Sequence, residues 1–247
     1  MNRSCWIIAG ATSAIAIRFA HRVAMEGHQI ILLGRDSQKL SAIQADLQIR
    51  YDIMVDYLIF DAIKTDQHSS IVNACIQLAK APVNLLVAFG LMIPGASITH
   101  SAVEAIMSIN ANFTGVVSLL FAFLPHFQAQ KQGEIVVLGS VAGDRGRPIN
   151  FDYGAAKAGL AIFCEGLRGA LIPDNVSVTL MKLGYIDTPM TYGKNGLFPA
   201  ATPTDCADAC LRASNKKLSI VYYPVFWRWI MAIFKLLPQF ILYRFKV

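Results

Sequence analysis

Apolar residues along this chain fall into short unbroken runs separated by stretches of helical spacing. The run CWIIAG at 5–10 precedes a helix predicted from about Ala14 to Glu26, with Gly27 placed as a helix C-terminal glycine. QIILLG follows, then a helix over DSQKLSAIQADLQIR, with Asp36 as N-cap and Leu40, Ile43 and Leu47 at helical spacing. YLIF predicts a third strand, TDQHSSIVNACIQLAK a helix, VNLLVAFG a fourth strand and about Ala102 to Gln128 one long helix. EIVVLGS predicts the fifth strand, a helix begins near Tyr153, VSVTLMKLG makes the sixth strand, and TDCADACLRASNK is a short helix before LSIVYY. The early strands are apolar throughout rather than alternating, the pattern of a parallel sheet covered on both faces. With no repeat and no linker before about residue 223, one doubly wound α/β domain is the simplest architecture. The Gly- and Pro-punctuated stretch 190–204 reads as a loop at the carboxyl end of a strand, a candidate substrate lid.

Composition narrows this picture. Of 247 residues, 55% are hydrophobic and 15% charged, ample for a large core. No run of about 20 uncharged apolar residues stands out, so no spanning helix is expected. The start MNRSCWIIAGATS fits a first strand better than a signal peptide. Five scattered cysteines suit reduced thiols in the cytoplasm. Cys206 and Cys210 lie one helical turn apart without a third ligand, so no metal site is expected. The net charge of +6 is uneven. After Asp208 come seven cations and no acid, so the preceding residues sum to −1. The basic character belongs to the tail, which removes the support for nucleic-acid binding by the main domain.

Two constellations carry chemistry. The loop AGATSAIA follows the first strand and opens a helix, where a dinucleotide's pyrophosphate would sit. Gly10 can supply the sharp turn, Thr12 and Ser13 offer hydroxyls, and Ala14 and Ala16 stand where further glycines are usual. Alone, the loop reads equally well as small-residue packing of strand on helix. The second strand ends in Gly34 and Arg35 instead of the acidic residue that holds an NAD ribose, so a bound dinucleotide is expected to be NADP(H) rather than NAD(H). The second constellation is LGSVAGDRGRPINFDYGAAK. Ser140 ends a strand, Tyr153 comes 13 residues later, and Lys157 shares its helical face four residues on. A lysine beside the phenol is expected to lower the tyrosine pKa and make it a proton donor and acceptor near neutrality. Ser140 can hydrogen-bond a reacting oxygen.

With these motifs the chain resembles the short-chain dehydrogenase/reductase family over about residues 4–223, through AGATSAIA, LLGR, Asp61 in IFDAI, NFTG at 112–115, Ser140, YGAAK and LGYIDTPM. The resemblance implies a single-domain Rossmann-type fold over 1–223 and transfer of the pro-S hydride between NADPH and a ketone. It implies Tyr153 as general acid, Lys157 lowering its pKa and binding the nicotinamide ribose, Ser140 orienting the carbonyl, and Asn112 holding a water in a proton relay. Gly10, Thr12, Ser13, Ala14, Ile15, Arg35, Asp61 and Gly90 would hold the cofactor, Asp61 at the adenine. Ile186 and Thr188 would touch the carboxamide. The chain departs from the family at VAFG, 87–90, where two asparagines are usual, and at Leu183-Gly184, where Pro-Gly is usual. Neither change removes a group needed for hydride transfer.

The extension 224–247, YYPVFWRWIMAIFKLLPQFILYRFKV with its leading tyrosines, is aromatic and basic, and Pro238 breaks any helix through it. It fits an interfacial helix pair on an anionic membrane, and equally an oligomer interface or a flap over the site. Together with the small-residue loop it is similar to reductases of lipid-linked sugars, such as the reductase half of the decaprenylphosphoryl-ribose 2-epimerase system. The expected partners are therefore a small-molecule or lipid-linked carbonyl substrate, a second copy in a dimer or tetramer, and the inner face of a membrane. The other readings are NADP-dependent oxidation of an alcohol, or a catalytically silent nucleotide-binding or membrane-associated scaffold on the same fold.

Overall fold

The computed structural model of the protein describes residues 3–190 and 199–242. Strands and helices alternate: β1 (Cys5–Ala9), α1 (Ala14–Met25), β2 (Gln29–Gly34), α2 (Ser37–Tyr51), β3 (Val55–Ile59), α3 (His68–Leu78), β4 (Val83–Val87), α4 (Ala102–Ile109), α5 (Gly115–Gln130), β5 (Gly133–Ser140), α6 (Phe151–Leu171), β6 (Val176–Leu183), α7 (Pro203–Asn215), β7 (Ile220–Tyr223), α8 (Trp227–Leu236) and the short α9 (Gln239–Leu242). The seven strands form one parallel sheet in the order β3-β2-β1-β4-β5-β6-β7. The order reverses between β1 and β4. In a doubly wound sheet that switch opens a crevice at the strands' carboxyl ends.

Burial explains the unbroken apolar runs. Every residue of β1, β2 and β4 is buried, because both sheet faces are covered. Successive side chains point to opposite faces. Trp6, Ile8, Ile30 and Leu32 therefore join Phe19, Leu40 and Leu47 of α1 and α2 in one core. Ile7, Ile31, Leu33 and Leu85 join Phe123 and Phe127 of α5 and Leu160 of α6 in the other. Each such side chain contributes roughly 1.5–3 kcal/mol when fully buried.

Local signals set the helix ends. Ser13 caps α1 by accepting from the Ala16 amide at 3.3 Å, and Gly27 follows the helix at φ +77°. Asp36 caps α2 by accepting from the Lys39 amide at 3.1 Å, as expected from the sequence.

Four elements differ from expectation. The turn Thr65–Gln67 is wound as a 3₁₀ helix before α3. β4 stops at Val87, since Gly90 and Leu91 are drawn toward Asn112. The long helix is interrupted by a π segment, Asn110–Thr114, between α4 and α5. The whole run Ala102–Gln130 is also long and apolar enough to cross a membrane by length and composition, contrary to the expectation that no segment is. Its Leu119, Leu120, Phe123 and Phe127 are buried in the second core, so it serves as a core helix. Most of the expected lid, 191–198, and Arg244 and Lys246 of the tail lie outside the described residues.

Candidate active site

The loop after β1 is built around one glycine. Gly10 has φ +83°, and a Cβ there would lie 2.6 Å from the Phe89 amide nitrogen. Neither the conformation nor the space admits a side chain. The Gly10 and Ala11 amides donate to the Leu33 carbonyl at 2.9 and 3.0 Å, and the Ser13 amide closes the turn on the Gly10 carbonyl at 3.0 Å. The other expected glycine places fall inside α1, where alanine costs nothing in conformation and Ala16 is fully buried. The amide end of α1 thus faces the crevice, an arrangement that favours anions. A cavity of about 270 Å³ opens there, bordered by Gly10, Thr12, Ser13, Gly34, Arg35, Asp61 and Gly90. A phosphate-bearing nucleotide fits this cradle. Ala14 and Ile15 form the first turn of α1 beside it. Ile186 and Thr188 lie on the loop after β6, which reaches the same cavity through Met190. That loop is pinned where Ile186 pairs with Ala201.

Where two asparagines were missed, packing replaces polarity. Ala88 donates its amide to the Ala9 carbonyl at 2.8 Å, and the Phe89 ring sits 5.5 Å from that of Phe60.

The second constellation adjoins this cavity. Ser140 is the last residue of β5, and Tyr153 and Lys157 lie one turn apart on α6, 7% and 4% exposed. The Tyr153 and Ser140 hydroxyls are hydrogen-bonded. The Lys157 ammonium donates to the Leu138 carbonyl at 3.1 Å and lies 5.7 Å from the centroid of the Tyr153 ring. It is also 3.7 Å from where a Gly90 Cβ would be, so the two constellations share a wall. Gly143 lets the loop after Ser140 rest on α6, since a Cβ there would be 2.6 Å from the Lys157 carbonyl carbon.

The electrostatics correct one expectation. Burial raises the Tyr153 pKa above its ordinary value, opposed by the Ser140 hydrogen bond and the Arg147 charge. Lys157 is not among the groups that oppose this rise, and its ammonium bonds the Leu138 carbonyl. Burial instead pulls Lys157 itself down to about 8.

Arg147 escaped the sequence reading. It lies on the loop between Ser140 and α6, where burial lowers its pKa and the Tyr185 and Tyr153 phenols act the other way. Only the loop's folding brings it to Tyr153, and no spacing rule signals that. Asp152 was missed as well. Its carboxylate accepts from the Ser97 hydroxyl, from His100 at 2.8 Å and from the Tyr153 amide at 2.7 Å. Burial works to raise its pKa, but these bonds outweigh it and hold Asp152 below the ordinary carboxylate value. Asn112 is fully buried in the π segment. Its side chain accepts from the Leu91 amide at 3.2 Å and donates to the Leu91 and Ser108 carbonyls at 2.5 and 2.9 Å. It is a brace between α4–α5 and the loop after β4, with both amide hydrogens committed.

The tail completes the rim. Trp227 and Met231 of α8 pack on Val141, with Tyr185 and Tyr222 alongside. The Trp227 indole occupies the space a Gly184 Cβ would need, which gives the lone glycine after β6 its purpose. Asp144, 1% exposed, pairs with Lys182, accepts from the Tyr222 hydroxyl at 2.7 Å and lies 3.3 Å from Lys235. Arg145 donates to the Leu237 carbonyl at 3.0 Å. One face of the tail is therefore packed as a flap on the loop after Ser140.

Such an arrangement can hold a nucleotide on one side and exchange a proton with an oxygen on the other. Comparison with known proteins points to oxidoreductases. The family model for short chain dehydrogenases matches residues 4–196. An uncharacterized oxidoreductase of Mycobacterium tuberculosis is 31% identical over 236 residues, 95% of this chain and 94% of its own length. The 7beta-hydroxysteroid dehydrogenase of Mediterraneibacter gnavus is 27% identical over 226 residues, 87% of this chain and 84% of its own. The fold matches a Sphingobium yanoikuyae short-chain dehydrogenase in complex with NADPH at a TM-score of 0.82, with 24% identity over 95% of this chain and 96% of that one. It matches a variant of actinorhodin polyketide ketoreductase with NADPH at 0.80, with 19% identity over 90% and 95% of the two chains. These likenesses do not single out reductases of lipid-linked keto-sugars.

Proposed function

The chain belongs to the short-chain dehydrogenase/reductase family of NAD(P)-dependent oxidoreductases, and on that premise we propose that it reduces a ketone to a secondary alcohol with NADPH. The observation that carries this reading is the shared wall: Lys157 of the Ser140–Tyr153–Lys157 set stands against Gly90 of the nucleotide cradle.

The nicotinamide supplies the hydride when bound. Tyr153, its pKa raised by burial, stays protonated at neutral pH and gives its hydroxyl proton to the reacting oxygen. Ser140, hydrogen-bonded to that hydroxyl, orients the carbonyl. Burial brings Lys157 down to about 8, so its ammonium can give a proton back to the phenolate. With the Asn112 amide hydrogens committed to carbonyls, a relay water there would be held by an oxygen of Asn112. Asp61 serves the adenine side, and Ile186 and Thr188 the carboxamide side.

Arg35 supports the preference for NADPH. It is exposed beside buried Gly34 at the cavity edge. The neighbouring Asp36 carboxylate is turned to the Lys39 amide and ammonium, so it does not oppose a 2′-phosphate. Changing Arg35 to Asp is expected to weaken NADPH binding about 10- to 100-fold and leave NADH binding equal or stronger, read by nucleotide fluorescence titration. The same titration tests the reading as a whole, because binding of neither nucleotide overturns it.

The rim residues Val141 and Tyr185 are apolar or aromatic. One relative is named a hydroxysteroid dehydrogenase and one fold neighbour a ketoreductase, so apolar ketones are the first to screen by NADPH oxidation, with lipid-linked keto-sugars next. Exposed Phe121 and Ile162 on α5 and α6 support a homo-oligomer, and buried free cysteines suit the cytoplasm.

Arg147 sets the pH range. Its charge favours the phenolate of Tyr153, so Arg147→Gln is expected to raise the tyrosine pKa further. Reduction needs the phenol, so its alkaline limb moves up by about half a unit to one unit. A pH profile of kcat with a limb that stays in place sinks this assignment.

A further inference from the structure

Helix α8 has two apolar faces, and the flap uses only one. Trp227 and Met231 are buried on Val141, with Ile230 and Phe234 beside them. Trp229, Ile233 and Leu236 are 67%, 61% and 84% exposed. At about 100° per residue these three fall within roughly 60° of one another, opposite the packed face. Val225 before the helix and Phe240 after it are exposed as well. Scattered surface apolar residues are ordinary, but a continuous stripe marks an interaction site.

Charge identifies the occupant. Exposed Arg228 flanks the stripe, its guanidinium 5.7 Å from the centroid of the Trp229 ring. Lys235 lies on the same flank, turned toward Tyr222 and Asp144. No acidic residue follows Asp208, whereas Arg244 and Lys246 add two further cations. An isologous contact with a second copy would bring the exposed Arg228 of each copy to the same seam, and the sequence after Asp208 offers no acid to pair with it. An anionic bilayer supplies the counter-charge and accepts the apolar stripe together. We infer that α8 and α9 dock on an anionic lipid surface, with Trp229, Ile233, Leu236 and Phe240 entering the headgroup–acyl boundary and Arg228 among the phosphates. The inference rests on the α8 faces and stands whether or not the chain reduces ketones.

The test uses the full chain with vesicles of phosphatidylcholine alone and of phosphatidylcholine and phosphatidylglycerol in equal parts. Trp6 and Trp227 are buried and Trp229 is exposed, so a blue shift of tryptophan emission on binding reports Trp229. The expected result is flotation with the anionic vesicles, a blue shift, and weakening by added salt. The double change Ile233→Ser and Leu236→Ser, at exposed positions, is expected to leave the Tm unchanged and lower vesicle affinity by about tenfold or more. Failure to float with either vesicle, or flotation that the double variant retains, overturns the inference. A double variant whose solution mass drops to half assigns the stripe to a second copy and overturns it as well.

Discussion

Tyr153→Phe is expected to lower ketone-dependent NADPH oxidation by about 10²- to 10⁴-fold while leaving NADPH affinity within a factor of about two. The change removes one oxygen. In the folded protein that oxygen bonds the Ser140 hydroxyl and Tyr153 is buried, so the ring keeps its packing. Ser140 keeps its bond from the Ala142 amide at 3.1 Å, so the loop after β5 holds its shape. The loss should therefore fall on kcat, measured at saturating nucleotide. A scaffold that only senses nucleotide would be indifferent to this substitution. Full turnover in the variant would show that another group supplies the proton.

Lys157→Met is expected to inactivate the protein and stabilise it. Lys157 is 4% exposed, its ammonium donates to the Leu138 carbonyl, and burial pulls its pKa down to about 8. A lysine in the unfolded chain titrates near 10.4, so the folded state disfavours the charged form by about 3 kcal/mol below pH 8. Methionine fills a similar volume without charge and forfeits the Leu138 bond, about 1 kcal/mol. The net gain of about 2 kcal/mol corresponds to a Tm rise of about 4–8 °C at pH 7, measured without added nucleotide. The pH dependence gives the sign independently. Between about 8 and 10.5 the unfolded chain binds more protons at this site than the folded one, so wild-type stability rises with pH through that window. The variant lacks that rise, and its advantage shrinks toward pH 10.5. A variant less stable than wild type at pH 7 would show that the ammonium is better solvated than its surroundings imply.

The two chemical motifs were legible because each depends on local spacing. Four residues on a helix place Tyr153 and Lys157 on one face in any context, and Ser140 had only to end a strand. The layering was legible because β1, β2 and β4 are buried on both sides and so carry no polar alternation. What stayed hidden depends on reach and on closure. Spacing put Lys157 beside Tyr153, but the length of the lysine chain carries its charge to Leu138. The π segment at Asn110–Thr114 leaves the hydropathy of its helix unbroken, so Asn112 gave no sign that it braces Leu91. Arg147 and Asp152 acquire their partners only when the loop before α6 folds onto Ser97, His100 and the phenols. Helix α8 carries apolar residues on two faces, and only packing distinguishes the face on Val141 from the stripe at Trp229.

The Asp144 cluster also sets a timetable. Tyr222 lies 78 residues beyond Asp144, and Leu237 lies 92 beyond Arg145. At about 5–20 residues per second of synthesis, the loop after Ser140 waits roughly 4–18 s for the segment that fastens it. Ser140, Tyr153 and Lys157 have all left the ribosome by then. Ser140, Tyr153 and Lys157 come from early chain and the helix that fastens the loop beside them from late chain, so on the proposed function the nascent protein passes through an interval in which it holds the reacting groups before the loop next to them is fixed.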